Sequence, residues 1–422
     1  MKRILITIFL LLMSIQLNAQ WTSVFELNYS TIYGIKFGNQ NTGFIVGDRD
    51  LGEYLINKTT NCGMNWIQLY LDTNQLMLWV CDISLVNENT GYICGYSSYI
   101  FKTTNGGDNW ITLYPYSWGS TMIFNAIQFV NEETGYAVGR YGIGVKTTDG
   151  GNTWNRMDTT YKLELPFNSL FGLWFINADT GFMGDWNGYI FKTTNGGINW
   201  NYKRVSNSNT FDKIRFINDN TGYAAGKNVP SNSGAIYKTT NAGNNWEKIL
   251  SYNDQIYSMT TVGDSTIYAG GSFSYILKST DAGKTWINQS IPVISSINDF
   301  YFINQSTGFC ATYEYILKTT NGGSTYIGQI GNNIPEDYKL YQNYPNPFNS
   351  STNIKFSVKQ KGFLRITLYD ITGKEIKSLA NQQVQAGDYI IFFNSESLPS
   401  GIYYCRMNIN NQIKSIKLIL IK

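Results

Sequence analysis

Beyond residue 20, apolar and polar positions alternate with a period of two in short runs, and no stretch carries the 3.6-residue stripe of an amphipathic helix. Runs such as IQFVN at Ile127, LWFIN at Leu173, IRFIN at Ile214 and FYFIN at Phe300 end in Asn. Each leads into a second apolar run of the form TGYxxG, as in NTGFIVG at Asn41, NTGYICG at Asn89, ETGYAVG at Glu133, DTGFMG at Asp179 and NTGYAAG at Asn220. A variable stretch follows, then a third run ending in Lys-Thr-Thr, then a turn and a fourth run opening on Trp. The third run and its turn recur seven times: KTTNCGMNW at Lys58, KTTNGGDNW at Lys102, KTTDGGNTW at Lys146, KTTNGGINW at Lys192, KTTNAGNNW at Lys238, KSTDAGKTW at Lys278 and KTTNGGSTY at Lys318. The spacings are 44, 44, 46, 46, 40 and 40 residues, each long enough for four short strands, a to d, with their turns. One such sheet cannot cover both of its own faces, so the repeats must stack on one another. The pattern predicts an all-β fold: a seven-bladed β-propeller with four antiparallel strands per blade.

The turn between strands c and d carries its own chemistry. Its Asn or Asp is Asn61, Asn105, Asp149, Asn195, Asn241, Asp281 and Asn321, whose side chain can accept from backbone N–H groups ahead of it. The Gly two residues on, Gly63, Gly107, Gly151, Gly197, Gly243, Gly283 and Gly323, can take positive φ. Trp66, Trp110, Trp154, Trp200, Trp246 and Trp286, with Tyr326 in the last repeat, then cover the hairpin. These positions are read as structural. Trp21 precedes the first strand a, so the chain has one more candidate outer strand than blades. Either that strand or the one at Tyr326 completes the seventh blade.

After residue 328 the repeat stops. A linker at 329–337 leads to period-two runs at 353–358, 363–370, 388–394 and 401–409 and a final IKLILIK, which predict a small immunoglobulin-like β-sandwich over 338–422. At the other end, Lys2 and Arg3 precede an apolar run at 4–15 and a small residue at Ala19, the form of a secretory signal peptide over 1–19. That run is too short to cross a bilayer, and no later run approaches the necessary length, so no transmembrane segment is expected in the mature chain. The propeller is therefore assigned to 20–328.

Composition narrows the chemistry. The chain has no histidine, which removes imidazole bases, Ser-His-Asp and Cys-His nucleophiles and His-ligated zinc. The formal charge of +3 divides unevenly. Residues 336–422 hold eleven Lys and Arg against six Asp and Glu, and the propeller region holds 19 against 23. A mildly acidic propeller lacks the basic stripe that nucleic acid requires. Five cysteines, Cys62, Cys81, Cys94, Cys310 and Cys405, are an odd number at irregular spacing and predict free thiols rather than a disulfide framework.

The repeated turn, as in residues 279–286, resembles the Asp box of bacterial neuraminidase-type (BNR) repeats. Its combination with TGYAVG and KTTNGG resembles the photosystem II assembly-factor-like propellers more than the sialidases. In these families the box is a turn away from the active face, so the resemblance implies no catalytic role for it. In the tail, YPNPF at Tyr344, LYDITGKEI at Leu368, LPSGIYYCR at Leu398 and the terminal KLILIK resemble the C-terminal sorting domain of Bacteroidota proteins exported by the type IX (Por) system. That resemblance implies the type IX machinery as a partner, export across the outer membrane, and release or attachment at the cell surface.

Function then rests on the variable b–c and d–a connections, which share one face of a propeller. The residue after the Gly that ends strand b is Asp48, Tyr96, Arg140, Asp185, Lys227 and Gly271 in turn, with Tyr313 in the seventh repeat. These residues are expected to ring the mouth, enlarged by Trp186 and by Tyr114, Tyr116 and Trp118. The expected function is non-catalytic binding of a glycan, peptide or protein, with no catalytic residue, cofactor or metal assigned. One alternative is a glycoside hydrolase or lyase using Asp48 and Asp185, which needs carboxylates about 5–9.5 Å apart. The other is an assembly factor for a membrane protein complex.

Overall fold

The computed structural model describes residues 21–421 apart from 50–52, 71–78, 116–121, 158–168, 229, 290, 324–326, 332–333, 350 and 396–397. The expected signal peptide, Tyr116, Trp118 and Tyr326 lie outside the described residues. The chain divides into two compact units, one over Trp21–Gly322 and one containing Gly323–Lys422.

The first unit is the propeller. Blades two to six are four-stranded antiparallel sheets in plain sequence order, each using one repeat. In blade three, for example, the strands are Phe124–Phe129, Gly135–Gly139, Gly144–Thr147 and Asn155–Arg156. Blades one and seven share a single long strand, Thr22–Phe37. Residues 22–26 pair with 315–318 as the outer strand of blade seven. Residues 30–37 then pair with Gly43–Arg49 as the inner strand of blade one. The N-terminal strand thus closes the ring. Trp21, fully buried, anchors it by donating from Nε1 to Gln289 Oε1 at 2.7 Å and by packing against Tyr268, Phe300 and Phe302.

One contact rule repeats between blades. The aromatic of TGY or TGF stacks on the Phe of the next blade's strand a, and that Phe meets its own blade's Trp edge-on. Tyr136 stacks on Phe175 at 3.5 Å and Phe175 meets Trp200 at 6.0 Å; Phe182, Phe216 and Trp246 repeat this at 4.1 and 5.9 Å. The Gly of TGY lies beneath its own blade's Phe: a Cβ on Gly181 would come within 2.4 Å of the Phe175 ring. On the other side of each strand-b aromatic lies the Lys of Lys-Thr-Thr, 5.2 to 5.9 Å from the ring centroid in all seven repeats. Lys102, Lys192, Lys238, Lys278 and Lys318 also donate to a carbonyl in the next blade's c–d turn, at 2.6 to 3.0 Å. The lysines therefore clasp blade to blade around the ring.

The c–d turns form as their residues dictate. In blade three, Asp149 accepts from the Thr153 hydroxyl and backbone N–H and from the Thr147 hydroxyl, and these bonds hold its carboxyl down at about 2. Gly150 N–H donates to Glu133 O, which ties this turn to the a–b turn of the same blade.

The second unit is a sandwich of two four-stranded sheets around one core that includes Ile354, Phe356, Leu364, Ile366, Ile391, Met407 and Leu418. Residues assigned to the end of the propeller and the linker join it instead: Ile327–Gly331 pairs with Gly387–Asn394. All five cysteines are free thiols. Among the described residues, no helix is long and apolar enough to cross a membrane.

Candidate functional site

The mouth of the propeller is shaped by a break in alternation. In blades one, two, three, four, six and seven the inner strand slips by one residue against strand b. Each slip is a bulge that leaves one residue unpaired: Tyr33, Cys81, Asn125, Phe171, Tyr257 or Asn298. The residue before it is buried between blades, so the extra residue faces the axis, followed one step deeper by Gly34, Asp82, Ala126, Gly172, Ser258 or Asp299. In blade five, Asp212 and Lys213 take the two places.

Deeper still, charges meet across the ring. Asp299 of blade seven is 1% exposed and accepts from Lys36 of blade one at 2.6 Å, Lys213 of blade five at 3.4 Å and the Ile35 N–H at 3.2 Å. Burial alone would raise its carboxyl; these cations and Arg215 hold it well below the usual range instead. Arg215 lies over the Trp174 ring at 4.8 Å. Asp82, Ser84 and Gln128 bond to backbone of the following blade's inner strand, fixing the channel wall.

Two clusters occupy the mouth. In blades one to three, the Tyr33 hydroxyl donates to Asp48 at 3.1 Å, Arg140 lies over Tyr96 at 5.7 Å, and Trp79 meets Tyr96 edge-on at 4.6 Å. Cys81 sits among them, its thiol pushed up to about 12 by burial and by Asp82. In blades four to six, Lys227 lies between Trp186 at 5.9 Å and Tyr257 at 5.3 Å and pairs with the half-buried Asp212 at 3.6 Å, while Phe171 packs on Trp186. Beside Trp186 opens a pocket of about 430 Å³, lined also by Asn187, Arg204, Asn207, Ser208 and Asn228.

The expected ring is corrected in blade four. Asp185 pairs with Leu170, as Gly139 pairs with Phe124, so it stands where the other repeats end strand b in Gly. The residue after it is Trp186, whose N–H donates to Ser169 O as that of Arg140 does to Ile123 O. Asp185 does not face the mouth. Its side chain is 0% exposed and accepts from the N–H groups of Asn187 and Tyr189 at 2.9 and 2.7 Å. Burial outweighs those bonds and raises its carboxyl to about 6. Blade six shifts likewise: Gly271 ends strand b, and Ser272 takes the ring position. The ring is therefore Asp48, Tyr96, Arg140, Trp186, Lys227, Ser272 and Tyr313. Sequence reasoning missed the bulged residues and Arg204, although two residues between buried apolar positions, as in Ile32-Tyr33-Gly34-Ile35, mark each bulge. Among the described residues, no three Cys, Asp or Glu side chains come together as metal ligands.

Residues 13–113 and 58–200 match the family described as Photosynthesis system II assembly factor YCF48, and residues 342–422 match the Secretion system C-terminal sorting domain. No curated protein matches the chain. Among solved structures, the chain is similar to YCF48 bound to D1 peptide, with a TM-score of 0.58 at 18% identity over 72% of this chain and 96% of that one. It is similar to YCF48 from Cyanidioschyzon merolae at 0.59 and 17%, over 71% and 98%. It is also similar to the GH74 enzyme of Niastella koreensis at 0.57 and 14%, over 96% and 75%. At such identities the likeness is one of fold. The chain is a β-propeller with YCF48-like repeats over residues 13–200, and its residues 342–422 are a sorting domain for type IX export to a secreted or cell-surface location.

Proposed function

We propose that the exported propeller is a non-catalytic binding protein whose ligand sits on the face formed by the b–c and d–a connections. The observation that carries this is the one-sided placement of exposed aromatics. Tyr29, Tyr33, Tyr70, Trp79, Tyr114, Tyr141, Trp186, Phe273 and Tyr313 are all exposed and all fall at that end of their blades. Among the described residues of the propeller, one further exposed aromatic, Tyr202, lies mid-blade on an outer strand, while the exposed side chains in or just after the c–d turns are aliphatic: Met64, Ile67, Ile111 and Ile198. Aromatics kept in water and gathered at one face are what a binding surface needs, since each offers large, rigid contact area at low entropic cost. A propeller of similar fold bound to a peptide supports the reading.

The hydrolase alternative loses its pair, because the Asp185 carboxylate is buried in its own turn and cannot reach a substrate. Lys227 holds the neighbouring, half-buried Asp212. An array of glycans and peptides, probed with the full chain and followed by product analysis, tests the proposal. Binding without turnover is expected, lost in Tyr141→Ala with Phe273→Ala and kept in Ile198→Ala. Turnover of any bound compound, or binding lost only in Ile198→Ala, would overturn it.

A further inference from the structure

The pocket between blades four and five is distinct in chemistry from the rest of the face. Its lining supplies one indole, one guanidinium and a set of side-chain amides and hydroxyls, with no carboxylate and no lysine among them. Trp186 is 44% exposed although Lys227 lies over its ring at 5.9 Å and Phe171 packs on it, and the exposed part of the indole lines the pocket as a platform. Arg204 rests over Tyr189 at 5.7 Å, and none of the described ion pairs involves it. The amides are oriented. Asn209 Oδ1 is taken up by the Ser206 and Tyr237 hydroxyls, and Asn228 Oδ1 by the Ser231 N–H, which leaves their NH₂ groups to offer.

The walls are preformed. Asp185 holds the turn that carries Trp186, and Gly188 O accepts from the N–H groups of Val205 and Ser206 at 2.8 and 3.2 Å, stapling that turn to the loop that carries Asn207 and Asn209. A rigid site spends little binding energy on ordering itself.

We infer that this pocket takes a carboxylated sugar residue of a glycan, a uronate or similar acidic pyranose, stacked on Trp186 with its carboxylate on Arg204. A pyranose presents an apolar C–H face to an indole and hydroxyls around its rim, and side-chain amides both donate to and accept from such hydroxyls. A guanidinium pairs with a carboxylate through two parallel bonds. A volume of about 430 Å³ suits one or two sugar rings and lies within the ~300–1,000 Å³ of small-ligand sites. Trp186 and Pro230 are the apolar side chains of that lining.

This rests on the reading that the face binds, and the test separates the two. The full chain is titrated calorimetrically with a short oligogalacturonide, with its methyl ester and with a peptide ending in a free carboxylate. The acid is expected to bind about tenfold or more tightly than the ester; Trp186→Ala should weaken both, and Arg204→Gln should erase the difference. No binding of the acid, a preference that survives Arg204→Gln, or tighter binding of the peptide would overturn the inference. Binding untouched by both substitutions but lost in Tyr141→Ala with Phe273→Ala would overturn the pocket and leave the face standing.

Discussion

Lys102 shows how one side chain can hold two blades. Its ammonium lies 5.6 Å from the centroid of the Tyr92 ring in its own blade and 2.7 Å from Gly150 O in the next. Lys102→Met keeps much of the stem and removes both attractions, while the Tyr92 hydroxyl still donates to the same carbonyl. A loss of about 1–3 kcal/mol in urea unfolding is expected, against about 0.5 kcal/mol or less for Lys248→Met at an exposed position of an outer strand. Equal effects of the two would show that the clasp contributes nothing. Asp185 offers a test by pH. Its carboxyl is raised to about 6 in the folded chain against an ordinary 3.8, so the fold favours the protonated form. The resulting stabilisation is complete below about pH 4 and lost as pH rises through about 6, at most about 3 kcal/mol for a shift of some two units. Asp185→Asn removes the titration. Its melting temperature should gain on the parent's between pH 4 and pH 7, and a constant gap would contradict the assigned shift.

At the level of strands, most of the blade is legible because each strand is short and half-buried: period-two alternation names strands b and c, and the Asn-x-Gly turn names the hairpin between c and d. The inner strand is less legible. Its bulge inserts one residue, so Tyr33 and Gly34 stand between buried Ile32 and Ile35 where strict alternation allows one, and alternation alone gives no account of where Tyr33 points. Blade four misleads for a related reason. TGFMGD carries a Gly one place before the end of strand b and Asp185 at the end, so anchoring on Gly moves the ring by one residue; only the pairing of Asp185 with Leu170 reveals Trp186 as the equivalent of Arg140. Arg204 carries no local signal at all. It ends an outer strand whose residues are all exposed, and it joins Trp186 through the fold rather than through spacing.

The ring as a whole closes through its first strand, and this decides where the chain can be cut. Blade seven takes strand a from Ile297–Phe302, strands b and c from Gly308–Thr319, and strand d from residues 22–26. Among the described residues, no strand after Gly322 pairs with the propeller, and Ile327–Gly331 belongs to the sorting-domain sheet. A chain ended at Gly322 should therefore melt within a few degrees of the propeller transition in the full chain. A chain that begins at Ser30 should not. It loses Trp21 with its contacts to Tyr268, Phe300 and Phe302, and it exposes the edge of residues 315–318 that residues 22–26 cover. Removing a large buried aromatic costs about 3–5 kcal/mol, and an uncovered strand edge invites pairing with another chain. Lower melting and aggregation are expected for that chain alone. If the chain ended at Gly322 proved the less stable of the two, closure by the N-terminal strand would be wrong, and the outer strand of blade seven would have to come from the residues that follow.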